Sequence, residues 1–295
     1  MKTRIMTNYH YDWDSNEKTF FVYQDDICFH YDQQHQTLVL ALPFENEIFV
    51  LEIFSLDNLV IDVYHSLPLG QDQKDNILNY VIELLDLNYD LPGFYLFSAQ
   101  DPILKLIYQD HLGFRAYSYL NLYEAFMWTI IGQQINMKFA YSIKSELVKK
   151  YGRAIKHKDL TLFVFPTPKV LETVSFEDFQ KLRLSKNKIN TIKLVTTMFV
   201  NHEISQEVFN SFSTAAEKIK FITSIKGLGI WSANYILIRS LKQNDVILFK
   251  DVGLNNCLKT LLNLEKIEDS FLLALQERYQ QWCRYAVFYL WRVLY

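Results

Sequence analysis

The segment "SIKGLGIWSANYILIRSLKQNDVILFKDVGL", residues 224–254, sets Gly227 and Gly229 between two apolar-periodic stretches and places Asp251 at the start of a third. "STAAEKIKFITSI" and "WSANYILIRSLK" carry apolar residues at intervals of three and four, the spacing of amphipathic helices, and Lys226-Gly227-Leu228-Gly229-Ile230 joins them. Glycines in such a turn allow positive φ and leave backbone N–H groups uncovered at the mouth of the second helix. That arrangement can hold a phosphate without reading any base. An ordinary tight turn between helices has the same glycines, so both readings stand at this point. Asp251 follows the strand-like "VILFK" and precedes "VGLNNCLKTLL", which predicts an N-cap, where helix amides favour a carboxylate.

The surroundings are those of a chain that folds without covalent staples. It has 295 residues, half of them apolar and 16% aromatic, enough for a large core. Cys28, Cys257 and Cys283 form no CxxC pair, and seven scattered histidines show no HxxxH spacing, so neither a metal site nor an iron–sulfur site is expected. No uncharged apolar run reaches eighteen residues, and the opening "MKTRIMTNYHYDWDSNEK" has no apolar signal core, which predicts a soluble cytoplasmic protein with no membrane partner.

The formal charge of −3 hides an uneven distribution. Residues 1–90 carry 4 Lys/Arg against 16 Asp/Glu, a net −12, and residues 91–295 carry 26 against 17, a net +9. The positive part suits a polyanion such as nucleic acid, and the acidic part is expected to sit away from it. Unevenly spread solvated charge is the plainer alternative. Composition also changes near residue 90. Before it, "TFFVYQDDICFHYD", "QTLVLALPF", "EIFVLEIFS" and "NLVIDVYHS" read as strands and "KDNILNYVIELLDL" as a helix covering them. After it, runs from "LYEAFMWTIIGQQINMKFAYSIKSELVKKYG" to "LLALQERYQQWCRYAVFYLWRVL" read as helices. The expected fold is therefore α+β, with an N-terminal antiparallel β domain over 1–90 and a mostly helical, two-lobed region over 91–295 with a cleft between its lobes.

The Gly-Leu-Gly turn, Trp231-Ser-Ala-Asn-Tyr235 and an aspartate twenty residues beyond Trp231 together resemble the signature of the helix–hairpin–helix DNA glycosylases, nearest the bacterial 3-methyladenine DNA glycosylase II type. "YEAFMWTIIGQQINMKFA" (123–140), "DLPGFYLFSAQDPIL", "WCRYAVFYLW" and Tyr11-Asp12-Trp13 are similar to further segments of that family, so the likeness spans nearly the whole chain. The resemblance implies base excision from damaged duplex DNA by a bacterial, nucleoid-associated monomer that needs no cofactor. It implies Asp251 as the catalytic carboxylate, and Trp231, Tyr235 and Trp291 as the aromatic pocket for an extruded base. It implies Gln134 as the wedge that fills the gap in the duplex, and Lys226, Gly227, Leu228 and Gly229 as the phosphate-binding hairpin.

A structural reading exists for each of these residues: aromatic core, polar residues at a helix break, a simple cap. Gln133, beside the wedge, is expected to tie down local backbone, and Trp128 and Trp282 are either pocket or packing. The residue two places after the second hairpin glycine is a Schiff-base lysine in the strand-cleaving relatives and Trp231 here, which implies hydrolysis by water without lyase chemistry. Lys250 is the rival amine. Two departures bear on base preference. Trp282-Cys283-Arg284 stands where relatives commonly have Trp-Arg-Ser, so that arginine's contact is either lost or taken over by Arg284, and Val252 stands where some relatives have tyrosine. The expected substrates are alkylated purines. Oxidised or deaminated bases, or DNA binding without catalysis, are the alternatives.

Overall fold

The computed structural model describes residues 1–22, 24–44 and 47–294. Five strands, β1 (Lys2–Met6), β2 (Phe29–Asp32), β3 (Thr37–Phe44), β4 (Glu47–Ser55) and β5 (Leu59–Tyr64), form an antiparallel sheet in the order β1-β5-β4-β3-β2. Helices α1 (Trp13–Val22) and α2 (Gln71–Leu84) cover it. Leu40, Leu51, Ile53, Ile61 and Val63 project into one apolar core with Trp13, Phe20, Ile77 and Val81.

The stretch 19–32 was expected to be a strand throughout, but only Phe29–Asp32 is, and "TFFV" ends α1. Asp12 accepts from the Ser15 amide at 3.0 Å and the Ser15 hydroxyl at 2.6 Å, fastening the first turn of a helix. Trp13 and Phe20, seven residues apart, are buried together, so cap and helical spacing override the β propensity.

The remainder is mostly helical: α3 (Leu91–Gln100), α4 (Leu122–Gly132), α5 (Met137–Tyr151), α6 (Pro168–Glu172), α7 (Phe176–Lys181), α8 (Lys186–Val200), α9 (Gln206–Ser211), α10 (Ala215–Ser224), α11 (Ile230–Arg239), α12 (Val252–Leu262), α13 (Asp269–Tyr279) and α14 (Cys283–Trp291). A second large core runs from Leu91 to Leu290. Between α5 and α6 lies a hairpin that the helical reading missed, β6 (Arg153–His157) with β7 (Leu160–Val164).

Leu162 and Val164 of β7 pack on Val39, Ala41 and Val50, the face of the sheet turned away from α1 and α2. With both faces covered, β3 to β5 are buried almost continuously, which is why their sequences read as apolar runs rather than alternating ones. Glu52 on that face accepts from Tyr64 Oη at 2.8 Å and His157 Nε2 at 2.9 Å, and it pairs with Lys158. Asp62, 2% exposed, is clamped by Arg4 at 2.7 and 2.8 Å and by Lys2 at 2.7 Å, and the Arg4 guanidinium holds its carboxyl below the usual carboxylate range. No helix among the described residues is long and apolar enough to cross a membrane.

Candidate active site

The hairpin forms as its sequence dictates, with one difference. Gly227 has φ 96°, and a side chain there would bring Cβ to 2.0 Å from Thr191 Oγ1 of α8, so both conformation and space demand glycine. Gly229 is extended instead, at φ −103° and ψ −173°, and a Cβ there would meet nothing within 4 Å. Its role is different: it is the N-cap of α11 and supplies no side-chain acceptor, so no side chain covers the amides of the first turn. Lys226 is exposed, whereas Leu228 is buried and its amide donates to Ile225 O at 3.0 Å, which removes it from the phosphate-binding set that the resemblance implies. Gln133, just past α4, donates from Nε2 to Gly227 O at 3.0 Å and Ser232 Oγ at 3.1 Å, tying the hairpin to the other side of the cleft.

"VILFK" is not a strand. Val246, Ile247 and Leu248 form a buried connection, held where Asn234 Nδ2 donates to Ile247 O at 3.0 Å. It delivers Asp251 to the N-cap of α12, where Oδ1 accepts from the Leu254 amide at 2.7 Å. Two indoles complete the frame: Trp231 Nε1 donates to Oδ2 at 2.9 Å and Trp291 Nε1 to Oδ1 at 3.1 Å. A carboxylate has about four acceptor positions. Three are filled, and the one left belongs to Oδ2, the oxygen bound by Trp231 alone. Gly253, which the sequence reading passed over, makes room for this frame: a Cβ there would lie 3.1 Å from Asp251 Oδ1 and 3.3 Å from Trp291 Nε1.

Asp251 opens onto a cleft of about 990 Å³ whose walls include Trp231, Tyr235, Trp291, Trp128 and Gln134. The Tyr235 ring lies 5.2 Å from Trp231 and 6.4 Å from Trp291, centroid to centroid. The three aromatic residues singled out from sequence therefore meet at the carboxylate. Gln134 sits at the rim, exposed, in the left-handed conformation (φ 56°) that a side chain rarely adopts without a constraint. Of the two undecided tryptophans, Trp128 lines the cleft and Trp282 stacks on Phe97 away from it.

Arg284 does not reach a DNA-facing surface. It is 1% exposed, donates from Nε to Ile238 O at 3.0 Å and pairs with Asp86 at 3.0 Å, so the idea that it takes over the missing arginine contact is overturned. Val252 is 73% exposed beside Asp251. Two amines line the cleft. Lys188 donates to Ile131 O at 2.7 Å, and burial lowers its pKa. Lys250, also at positive φ (60°), is exposed on the same cleft as Asp251.

A carboxylate fixed by three N–H donors at the edge of an aromatic cleft, behind a glycine hairpin with an uncapped helix start, is the layout of a base-excision fold. Residues 127–281 match the model of the HhH-GPD superfamily of base excision DNA repair proteins, and the chain belongs to that family. It is 30% identical over 261 residues to the DNA-3-methyladenine glycosylase of Bacillus subtilis (strain 168), covering 88% of this chain and 86% of that one. The structure superimposes on 3-methyladenine DNA-glycosylase from Archaeoglobus fulgidus with a TM-score of 0.83 at 20% identity, over 98% of this chain and 97% of that one. Schizosaccharomyces pombe 3-methyladenine DNA glycosylase, solved with abasic DNA, matches 68% of this chain and 95% of its own, with a TM-score of 0.57 at 24% identity.

Proposed function

We propose that this protein is a monofunctional DNA glycosylase that hydrolyses the N-glycosidic bond of alkylated purines of the 3-methyladenine type in duplex DNA, leaving an abasic site. The observation that carries the reading is Asp251, oriented by Trp231, Trp291 and the Leu254 amide beside an aromatic cleft. Breaking the bond builds positive charge on the sugar. A fixed carboxylate stabilises that charge, and the open position on Oδ2 can orient the attacking water. An alkylated purine is itself cationic, and Trp231, Tyr235 and Trp291 offer faces for stacking and cation–π attraction to a base turned out of the helix.

In this reading Gln134 fills the gap left in the duplex, and the amides of Gly227 and Gly229, with Lys226, grip phosphate. The indole at Trp231 cannot form a Schiff base, so water is the nucleophile and the strand stays intact. The names of the relatives support the alkyl-base class, and a relative solved with abasic DNA supports DNA as the partner. In this reading the protein acts on duplex DNA as a soluble monomer. The deciding assay incubates the purified protein with duplexes carrying 3-methyladenine, 7-methylguanine, hypoxanthine or 8-oxoguanine, then adds alkali to reveal abasic sites. Alkali-dependent breaks at the alkylated purines are expected. Breaks confined to hypoxanthine or 8-oxoguanine would move the protein to another substrate class, and none at all would leave DNA binding alone.

A further inference from the structure

Lys144 of α5 is the most deeply buried amine in the molecule's helical part that the proposed chemistry does not use, with 1% of its side chain exposed. Its ammonium sits between Asp26 Oδ2 and Glu124 Oε1, each at 2.6 Å. It also lies over the rings of Tyr119 (5.5 Å), Trp128 (5.7 Å) and Phe165 (6.0 Å). Asp26 comes from the N-terminal sheet region, where its Oδ1 accepts from the Cys28 amide at 3.0 Å, and Glu124 comes from α4. The potential ligand atoms of Asp26, Cys28 and Glu124 lie within 4.8 Å of one another, but the ammonium of Lys144 already pairs with both carboxylates and is the cation of this site. Burial pushes the Glu124 carboxyl up, and the two carboxylates hold the Lys144 amine well above its ordinary range against the pull of its own desolvation.

Buried charge clusters of this kind are often no more stabilising than apolar side chains of equal volume, so stability alone does not account for one here. Its placement does. Trp128, whose ring Lys144 covers, packs against Tyr141 with the rings tilted by 31° and their centroids 4.6 Å apart, and gives its indole N–H to Tyr235 Oη at 3.2 Å. Tyr235 in turn packs between Trp231 and Trp291, the two donors to Asp251. Contacts are thus continuous from Asp26 in the acidic N-terminal third to the carboxylate of the cleft.

We infer that Lys144, anchored by Asp26, is a positioning residue of the base pocket: it fixes the face of Trp128 and, through the Trp128–Tyr235 hydrogen bond, the ring of Tyr235. The N-terminal sheet region then serves the site by holding its back wall. This rests on the proposed role of Tyr235 as a pocket residue.

The test is a double-mutant cycle between Asp26→Asn and Trp128→Phe, read as single-turnover release of 3-methyladenine from duplex DNA, together with thermal unfolding and crystal structures of each variant. Asp26→Asn leaves the Lys144–Glu124 pair intact, and Trp128→Phe keeps a ring while deleting the donor. Each single change is expected to slow release about five-fold, and the double variant is expected to be no slower than the slower single one, because both break one chain of contacts. Tyr235 should be displaced from Trp231 in the Asp26→Asn crystal structure. Effects that multiply, or a variant that melts lower with its rate and its Tyr235 unchanged, would overturn the inference. A wild-type protein that releases no alkylated purine refutes the proposed function instead, and the position of Tyr235 in the crystal structures still decides the coupling.

Discussion

The indole N–H of Trp291 donates to Asp251 Oδ1 at 3.1 Å, joining two residues forty positions apart in a bond that residue 253, having no side chain, leaves uncrowded. Trp231 closes the frame from α11, so three helices converge on a single carboxylate.

Asp251→Asn should reduce base release by about 10²- to 10³-fold while the protein still folds and still binds a duplex with an abasic-site mimic. Asparagine is as good an N-cap as aspartate, so α12 survives. The charge that the proposed mechanism sets against the sugar is gone, and the new amide must turn its donors toward an indole donor. Single-turnover kinetics and a binding titration separate these effects. A rate within a few-fold of wild type would remove Asp251 from the chemistry.

Gly253→Ala tests the frame without touching its members. A Cβ at 3.1 Å from Asp251 Oδ1 forces the carboxylate or Trp291 to yield by a few tenths of an ångström. The expected result is slower base release with DNA affinity near wild type, because the change disturbs alignment rather than binding. Unaltered turnover would show that the carboxylate's position has more latitude than the three donors imply.

The two hairpin glycines should behave differently. Gly227→Val collides with Thr191 and adopts positive φ only under strain, so its melting temperature should fall markedly. Gly229→Val has open space and an extended backbone, so it should fold, yet a branched side chain at the start of α11 obstructs a phosphate. Its affinity should drop equally for unrelated DNA sequences. In both variants log K should fall with log salt by roughly 0.9 for each phosphate still neutralised. Full affinity in folded Gly229→Val would end the phosphate-clamp reading.

Borohydride should trap no protein–DNA adduct, and base removal should leave the strand uncut until alkali is added. In the proposed reading Trp231 stands where strand-cleaving relatives supply an amine, and an indole nitrogen donates a hydrogen bond without acting as a nucleophile. Lys250 makes the control necessary, because its exposed side chain lines the cleft beside Asp251. An adduct that disappears in Lys250→Ala would assign lyase chemistry to that residue.

Local sequence was enough to set the hairpin, the cap at Asp251 and most helices, because glycine conformation, capping and apolar periodicity act within a few residues. It was also enough to single out Trp231, Tyr235 and Trp291, through likeness to a motif, though nothing in one side chain's neighbours along the chain says which of 46 aromatic residues will line a cleft and which, like Trp282, will pack. Tertiary structure decided the rest. Residues 19–22 became helix because Asp12 caps the turn and Trp13 and Phe20 share one core. Arg284 became a buried partner of Asp86, a residue 198 positions away. The orientation of Asp251 depends on indoles from α11 and α14, and that of Trp128 on Lys144 over its ring. Such contacts are set by packing between elements distant in sequence, which local propensity does not encode.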